Sequence, residues 1–245
     1  MRPDEARARI AGLGFSEADT QTLFEHFDDA ERRGKRGHGY ARIPWLEELD
    51  DLDPAAGPGC SQATQCYERW DGQGALGYLT LAAICEGQLA DPPEQARVVV
   101  ARRCFPTGFL GHWARKLAEG GLIAVITATS PARLAHPEGG PPLAGTNPLT
   151  IAIPSSDGAP IVVDVSPAKA TWGEVVAGLA SPDDVVPFGG EQAHKAFAIA
   201  LGLQLLVDAL AGDGYGAVLL VARPESDPVP ALRAAAGGLR LPGDR

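Results

Sequence analysis

The stretch GTNPLTIAIPSSDGAPIVVDVS, residues 145–166, constrains the fold of this chain most. Two short apolar runs rich in β-branched residues flank a polar segment, and Asp157-Gly158 supplies hairpin turn chemistry. A hairpin pairs its strands antiparallel, so the sheet that holds it is not a uniformly parallel βαβ series. Further strands are expected at ARVVVAR (96–102), LIAVITAT (122–129) and GAVLLVARP (216–224). Residues 4–34 read as two helices. Ser16 with Asp19 starts the second, Leu23, Phe24, Phe27 and Ala30 share one face, and Gly34 stops it. More helices are expected at LGYLTLAAICEGQLA (76–90), GHWARKLAEGG (111–121) and HKAFAIALGLQLLVDALAG (194–212), the last apolar on most sides and therefore read as buried. DDLDPAAGPGCSQ (50–62) reads as a turn-rich connector. Irregular alternation of strands and helices, with a hairpin, points to α+β with a mixed sheet.

Hydrophobic residues make up 45% and charged residues 21%, which suits a globular core and excludes disorder. The net charge of −10 argues against nucleic acid as a partner, although a local arginine can still bind a small anion. No apolar run reads as long enough to span a membrane, and the N-terminal stretch lacks an apolar signal core. Cys60, Cys66, Cys85 and Cys104 form no CxxC pair and the five histidines are scattered, so reduced thiols in a cytoplasm and no metal site are expected.

GQGALG (72–77) matches GxGxxG, but the CYERWD before it is too charged for a buried parallel strand. It is read as a glycine turn opening a helix. Neither a P-loop nor GxSxG is present. GKRGHGYARIPWLEEL (34–49) carries the stronger chemistry. Glycines on both sides leave the His38 ring uncrowded and let ligand or backbone approach closely, and a histidine exchanges protons near neutral pH. Arg42, four residues on, can hold a carboxylate with two parallel hydrogen bonds. The plainer alternative is a turn histidine and a surface arginine. Asp164 ends an apolar strand, where a carboxylate is costly unless paired or used; a cap or an ion pair is the alternative.

The segment 145–166 resembles the type 2 malate/L-lactate dehydrogenase family, whose hallmark is GTNP, a strand, a turn, and a strand ending in Asp. AERRGKRGHGYARIPWL resembles that family's RGxxSHGxxRLPxY, and LAEGGLIAV, TSPARLAHPEGGPPLAGTNP, LVDALAG and LRLPGDR match further segments in order. The resemblance implies a non-Rossmann NAD(P)-binding mixed sheet packed with helices, in one oxidoreductase unit over 1–245. The substrate part would lie at about 1–90 with the C-terminal segment, and the cofactor-binding α/β part at about 91–190. It implies His38 and Asp164 as the catalytic pair, Arg42 on the substrate carboxylate, and Thr129, Ser130, Thr146, Asn147 and Lys195 on the cofactor. NAD(P)H, NAD or NADP left open, would be the cofactor, a small carboxylic or imino acid the substrate, and a homodimer the assembly. The departures are Gly37 in place of the family's serine, Pro106 in place of the NHFG histidine, Lys195-Ala196-Phe197-Ala198 in place of KGYG, and a stretch missing between Val176 and Pro187. The expected function is hydride transfer at the α-carbon of a 2-oxo, 2-hydroxy or cyclic 2-imino acid in a specialised biosynthetic pathway. A non-catalytic remnant serving as a binding subunit is the alternative.

Overall fold

The apolar runs of the sequence become the middle of one sheet. A computed structural model describes residues 1–244. The strands are β1 (Gly59–Ala63), β2 (Tyr67–Asp71), β3 (Ala96–Arg102), β4 (Ile123–Ala128), β5 (Leu149–Ile153), β6 (Ile161–Val165) and β7 (Gly216–Ala222), in the order β1-β2-β3-β7-β4-β5-β6. Only β2 and β3 run parallel; every other neighbouring pair is antiparallel. The helices are α1 (Pro3–Gly12), α2 (Glu17–Arg32), α3 (Ile43–Glu47), α4 (Gly77–Ala90), α5 (Leu110–Glu119), α6 (Trp172–Val176), α7 (Ala193–Ala211) and α8 (Val229–Ala236).

Side chains alternate across a strand, so β3 serves both faces. Val99 and Ala101 join the main core with α4 and α5, while Val98 and Val100 pack with Val207 and Ala211 of α7. The hairpin expected from 145–166 forms as β5 and β6, with Thr150 opposite Asp164. Ser16 caps α2 by accepting from the Asp19 N–H at 3.1 Å. The α+β architecture expected from the sequence is the one observed.

Several expectations are corrected. The connector at 50–62 ends in a strand, β1, and CYERWD contains β2, which pairs parallel with β3 despite its charges. Those charges are matched by distant arginines. Glu68, 8% exposed, meets Arg97 at 3.0 Å and accepts from Gln88 and Trp70 at 2.8 Å each. Asp71, 3% exposed, accepts from Arg102 at 2.8 Å and from Arg103 at 2.7 Å. GQGALG therefore does lie between a strand and a helix. Two of its three glycines, however, are packed against this chain's own backbone: a Cβ at Gly77 would stand 2.7 Å from the Pro106 carbonyl oxygen, and one at Gly72 would collide with that of Arg103, so these two serve packing.

Helix α7 is not buried all round. Ala193, Ala196, Phe197, Ala200, Val207 and Ala211 are covered, but Ile199, Leu205, Leu206 and Leu210 are exposed. Only a stripe of mostly small residues meets β7, β4 and β3, which leaves the larger aliphatics outside. Residues 190–211 are also long and apolar enough to cross a membrane by length and composition, contrary to the sequence reading. Conversely, Leu23 and Phe27 are fully buried in their own chain, so that face of α2 needs no partner. Helix α8 has no counterpart in the sequence reading. Its Arg233 pairs with Asp157, which ties it to the β5–β6 turn. The terminal segment covers the β6 edge, where the Val162 N–H donates to the Pro242 carbonyl at 3.1 Å.

Candidate active site

Helix α2 ends at Arg32, Gly34 follows it in the left-handed region, and two short 3₁₀ turns come next, Arg36–His38 and Tyr40–Arg42. Of the two approaches that the glycines around His38 allow, ligand or backbone, the structure uses the second at Gly37. A Cβ at Gly37 would stand 2.6 Å from the Glu174 backbone nitrogen at the start of α6, and one at Gly39 would collide with the Glu31 side chain. Gly173 of α6 faces Gly37 in the same way. A serine at position 37 has no room in this chain. The interlock seats the His38 turn against α6, and Glu31 secures it by accepting from the Tyr40 N–H at 2.8 Å.

His38, Arg42 and Asp164 line one cavity of about 300 Å³. Arg42 is 7% exposed and lies 4.1 Å from the centroid of the Trp45 ring. Tyr78 stands beside its guanidinium. Among the described residues no carboxylate pairs with Arg42, so this chain leaves a buried cation for an anion to answer. Asp164 accepts from Thr150 Oγ1 at 2.6 Å, and only a glycine, Gly111 of α5, lets that helix come so near its Oδ2. No hydrogen bond joins His38 to Asp164 among the described residues. Desolvation, then Arg42, lowers the His38 pKa to about 4, against an upward pull from Asp164. The imidazole is therefore neutral at pH 7 in the free protein.

The expected cofactor residues divide. Thr129, Ser130 and Thr146 line the cavity. The Thr129 hydroxyl is already engaged, accepting from the Gly216 N–H at 2.9 Å. Asn147 is fully buried and absent from the lining; it accepts from the Ser130 N–H at 3.2 Å and donates to Gln204 at 2.8 Å, bracing the loop from behind. Lys195 is exposed on α7 and also absent from the lining. The CFPTG segment does reach the site, where Phe105, Pro106, Thr107 and Gly108 form wall. Sequence reasoning missed Trp45, Tyr78, Arg133 and Trp172, which line the cavity but stand in no local pattern that marks them. Residues 176–187 line no part of it. Asp164 also borders a second cavity of about 360 Å³, lined by Arg33, Arg115 and the terminal residues Arg240, Pro242, Gly243 and Asp244.

A second imidazole underlies the site. His26 is fully buried among Phe27, Tyr78, Phe109 and Trp113, and its Nε2 accepts from the Phe109 N–H at 3.1 Å. Burial holds its pKa well below the usual histidine range, with His112 and His38 adding to the effect. Because the folded pKa values of His26 and His38 are depressed, the unfolded chain takes up protons first as pH falls. Their contribution to stability is complete above the unfolded pKa of about 6.5 and is lost as pH falls toward the folded values. The midpoint of thermal unfolding is expected to drop between about pH 7 and pH 5, before most carboxylates titrate. His26→Leu should flatten that slope. A wild-type midpoint that is constant over the interval contradicts the reading.

Comparison with known proteins agrees with this architecture. The fold matches the crystal structure of Delta(1)-piperideine-2-carboxylate reductase from Pseudomonas syringae pvar. tomato, with TM-score 0.85 and 24% identity over 99% of this chain and 89% of that one. Malate dehydrogenase from Entamoeba histolytica gives TM-score 0.84 and 17% identity over 99% and 85%. In sequence, the chain is 28% identical to the Delta(1)-pyrroline-2-carboxylate/Delta(1)-piperideine-2-carboxylate reductase of Pseudomonas putida, over 82% of this chain and 67% of that protein. It is 26% identical to the (2R)-3-sulfolactate dehydrogenase (NADP(+)) of Chromohalobacter salexigens, over 86% and 71%. The chain thus spans about two thirds of the length of these curated relatives. The family model for malate/L-lactate dehydrogenase matches residues 4–181, and with the fold and the His38–Arg42–Asp164 cavity in place, the chain belongs to that family.

Proposed function

We propose that this chain is an NAD(P)-dependent oxidoreductase acting at the α-carbon of a 2-oxo, 2-hydroxy or cyclic 2-imino acid. The observation that carries the reading is the buried Arg42, without a carboxylate partner among the described residues, in one cavity with a neutral His38 and Asp164. Arg42 clamps the substrate carboxylate, held flat by Trp45. In the oxidation direction the neutral His38 accepts the hydroxyl proton, and Asp164 favours the imidazolium that forms. In reduction, the substrate carboxylate neutralises Arg42 and removes one of the influences that keep His38 deprotonated. His38 can then hold the proton that it delivers to the carbonyl oxygen or imine nitrogen.

The cavity wall fits a nicotinamide dinucleotide. Ser130 and Thr146 offer polar groups beside it, and a second cationic side chain, Arg133, lines the same space. When bound, the nicotinamide supplies or takes the hydride. The N-terminal part, about 1–90, contributes His38 and Arg42, and the part at about 91–190 contributes Ser130, Thr146 and Asp164. Cyclic imino acids are the substrates that the names of the relatives support best, and a cytoplasmic biosynthetic pathway is the setting we propose for them. Titration with NADH and NADPH by nicotinamide fluorescence, followed by a panel of oxo and cyclic imino acids, tests the reading. Absence of binding to both nucleotides favours instead a non-catalytic member, a view that the exposed Lys195 and the structural Asn147 support.

Arg42→Lys is expected to raise the substrate KM on the order of tenfold with a smaller change in kcat, because a point charge cannot replace the two-pronged contact. Unchanged KM removes Arg42 from the substrate. We also propose a homodimer whose contact includes the exposed Ile199, Leu205, Leu206 and Leu210 of α7. Light scattering on the wild type and Leu205→Lys tests it, and a monomeric wild type at micromolar concentration overturns it.

A further inference from the structure

The cavity holds a second arginine whose ligand the oxidoreductase reading leaves unstated. Arg133 is half-buried in the loop after β4 and lines the same space as His38. Its guanidinium lies 3.6 Å from the centroid of the Trp172 ring. Among the described residues it pairs with no carboxylate, whereas Arg97, Arg102, Arg103 and Arg233 each hold one.

Both halves of the stack are anchored. The Arg133 N–H donates to the Ala144 carbonyl at 2.9 Å, and Leu134 pairs with Ala144 in an isolated bridge. Trp172 packs against the cluster of Leu134, Ala144, Ala168, Val185 and Ala200. Stacking occupies the flat face of the guanidinium and leaves its edge N–H groups to donate. Burial lowers the Arg133 pKa, so the cation stands where an anion would restore what desolvation removes. Arg42 stacks on Trp45 and Arg133 on Trp172, two separate rings, so each guanidinium has its own anchor and its own edge to offer an anion.

We infer that Arg133, stacked on Trp172, is an oxyanion subsite that takes a second anionic group, either a phosphate of the dinucleotide or the distal acid of the substrate. This rests on the oxidoreductase reading above. The test uses the 245-residue chain as wild type, Arg133→Gln, Arg133→Lys and Trp172→Phe. Dissociation constants are measured for NADH and NADPH by fluorescence, and for lactate and malate by thermal shift with cofactor present. Arg133→Gln should weaken one of these arms on the order of tenfold or more while lactate stays within about twofold. Arg133→Lys should recover part of the loss, and Trp172→Phe should show a smaller loss in the same arm. Loss for both nucleotides assigns the pyrophosphate, loss for NADPH alone the ribose phosphate, and loss for malate alone the substrate. If Arg133→Gln folds and binds NADH, NADPH and malate as wild type does, the subsite is refuted. If Arg133→Gln does not fold, unchanged binding in both Arg133→Lys and Trp172→Phe refutes it equally. Wild-type protein that binds none of the probes overturns the oxidoreductase reading and the subsite with it, a result distinguishable from failure of the variant alone.

Discussion

His38→Ala is expected to lower turnover by about 10²–10⁴-fold, the usual contribution of a positioned acid–base group, while NADH and NADPH bind nearly as before. The split follows from where the ring sits. His38 faces Arg42 and Asp164 at the cavity wall, and no hydrogen bond of its ring holds the fold together among the described residues. Its backbone N–H bonds Lys35 at 2.8 Å, and that contact survives the substitution. The pH profile carries a second signature. With a pKa of about 4 in the free protein, the basic form predominates at all higher pH. Oxidation of the hydroxy acid should therefore keep its kcat/KM down to about pH 5 and lose it as pH falls through 4, unlike an unperturbed histidine, which fails near 6.5. Turnover near wild type in His38→Ala removes His38 from the proton-transfer role, whereas an acid limb near 6.5 that vanishes in the variant keeps the role and overturns the depressed pKa.

Arg97→Ala is expected to destabilise the fold by about 3–5 kcal/mol, the range for breaking a buried ion pair and leaving one charge behind. Arg97 is 3% exposed. It meets Glu68 at 3.0 Å and donates to Gln88 at 3.1 Å and to the Asp91 carbonyl at 2.9 Å. Its loss strands Glu68 inside the parallel β2–β3 pair. The double variant Arg97→Met with Glu68→Met should recover much of the loss, because apolar side chains of similar volume remove the unpaired charge along with the pair. Chemical denaturation of both proteins decides this. A single substitution that costs under about 1 kcal/mol would place the pair in the class of exposed ion pairs.

Much of the frame was legible in the sequence because its causes are local. The valines of β3 and the runs of β4 and β7 carry their own periodicity within a few residues, whereas Asp157-Gly158 lies in a longer loop, 154–160, and not in a tight turn. The Ser16 cap and the Gly34 stop lie beside the helix they bound. The site was legible only in part. His38, Arg42 and Asp164 could be named from their types and from a family resemblance, but nothing in their spacing brings residue 164 to residue 38.

The tertiary structure decided what depends on partners distant in the chain. β2 reads as too polar to enter a parallel pair, and it enters because Arg97, Arg102 and Arg103 arrive to match its acids. Gly37 reads as room for a ligand or for backbone and proves to be the seat of α6, because only packing shows what a missing Cβ makes way for. Asn147 reads as a cofactor contact, yet it braces Ser130 from behind, since its direction is set by Gln204 on another helix. The four outward aliphatics of α7 look like core until the sheet shows how narrow a stripe it covers. A sequence states what each residue can do; burial, direction and neighbours, which are long-range quantities, select among those possibilities.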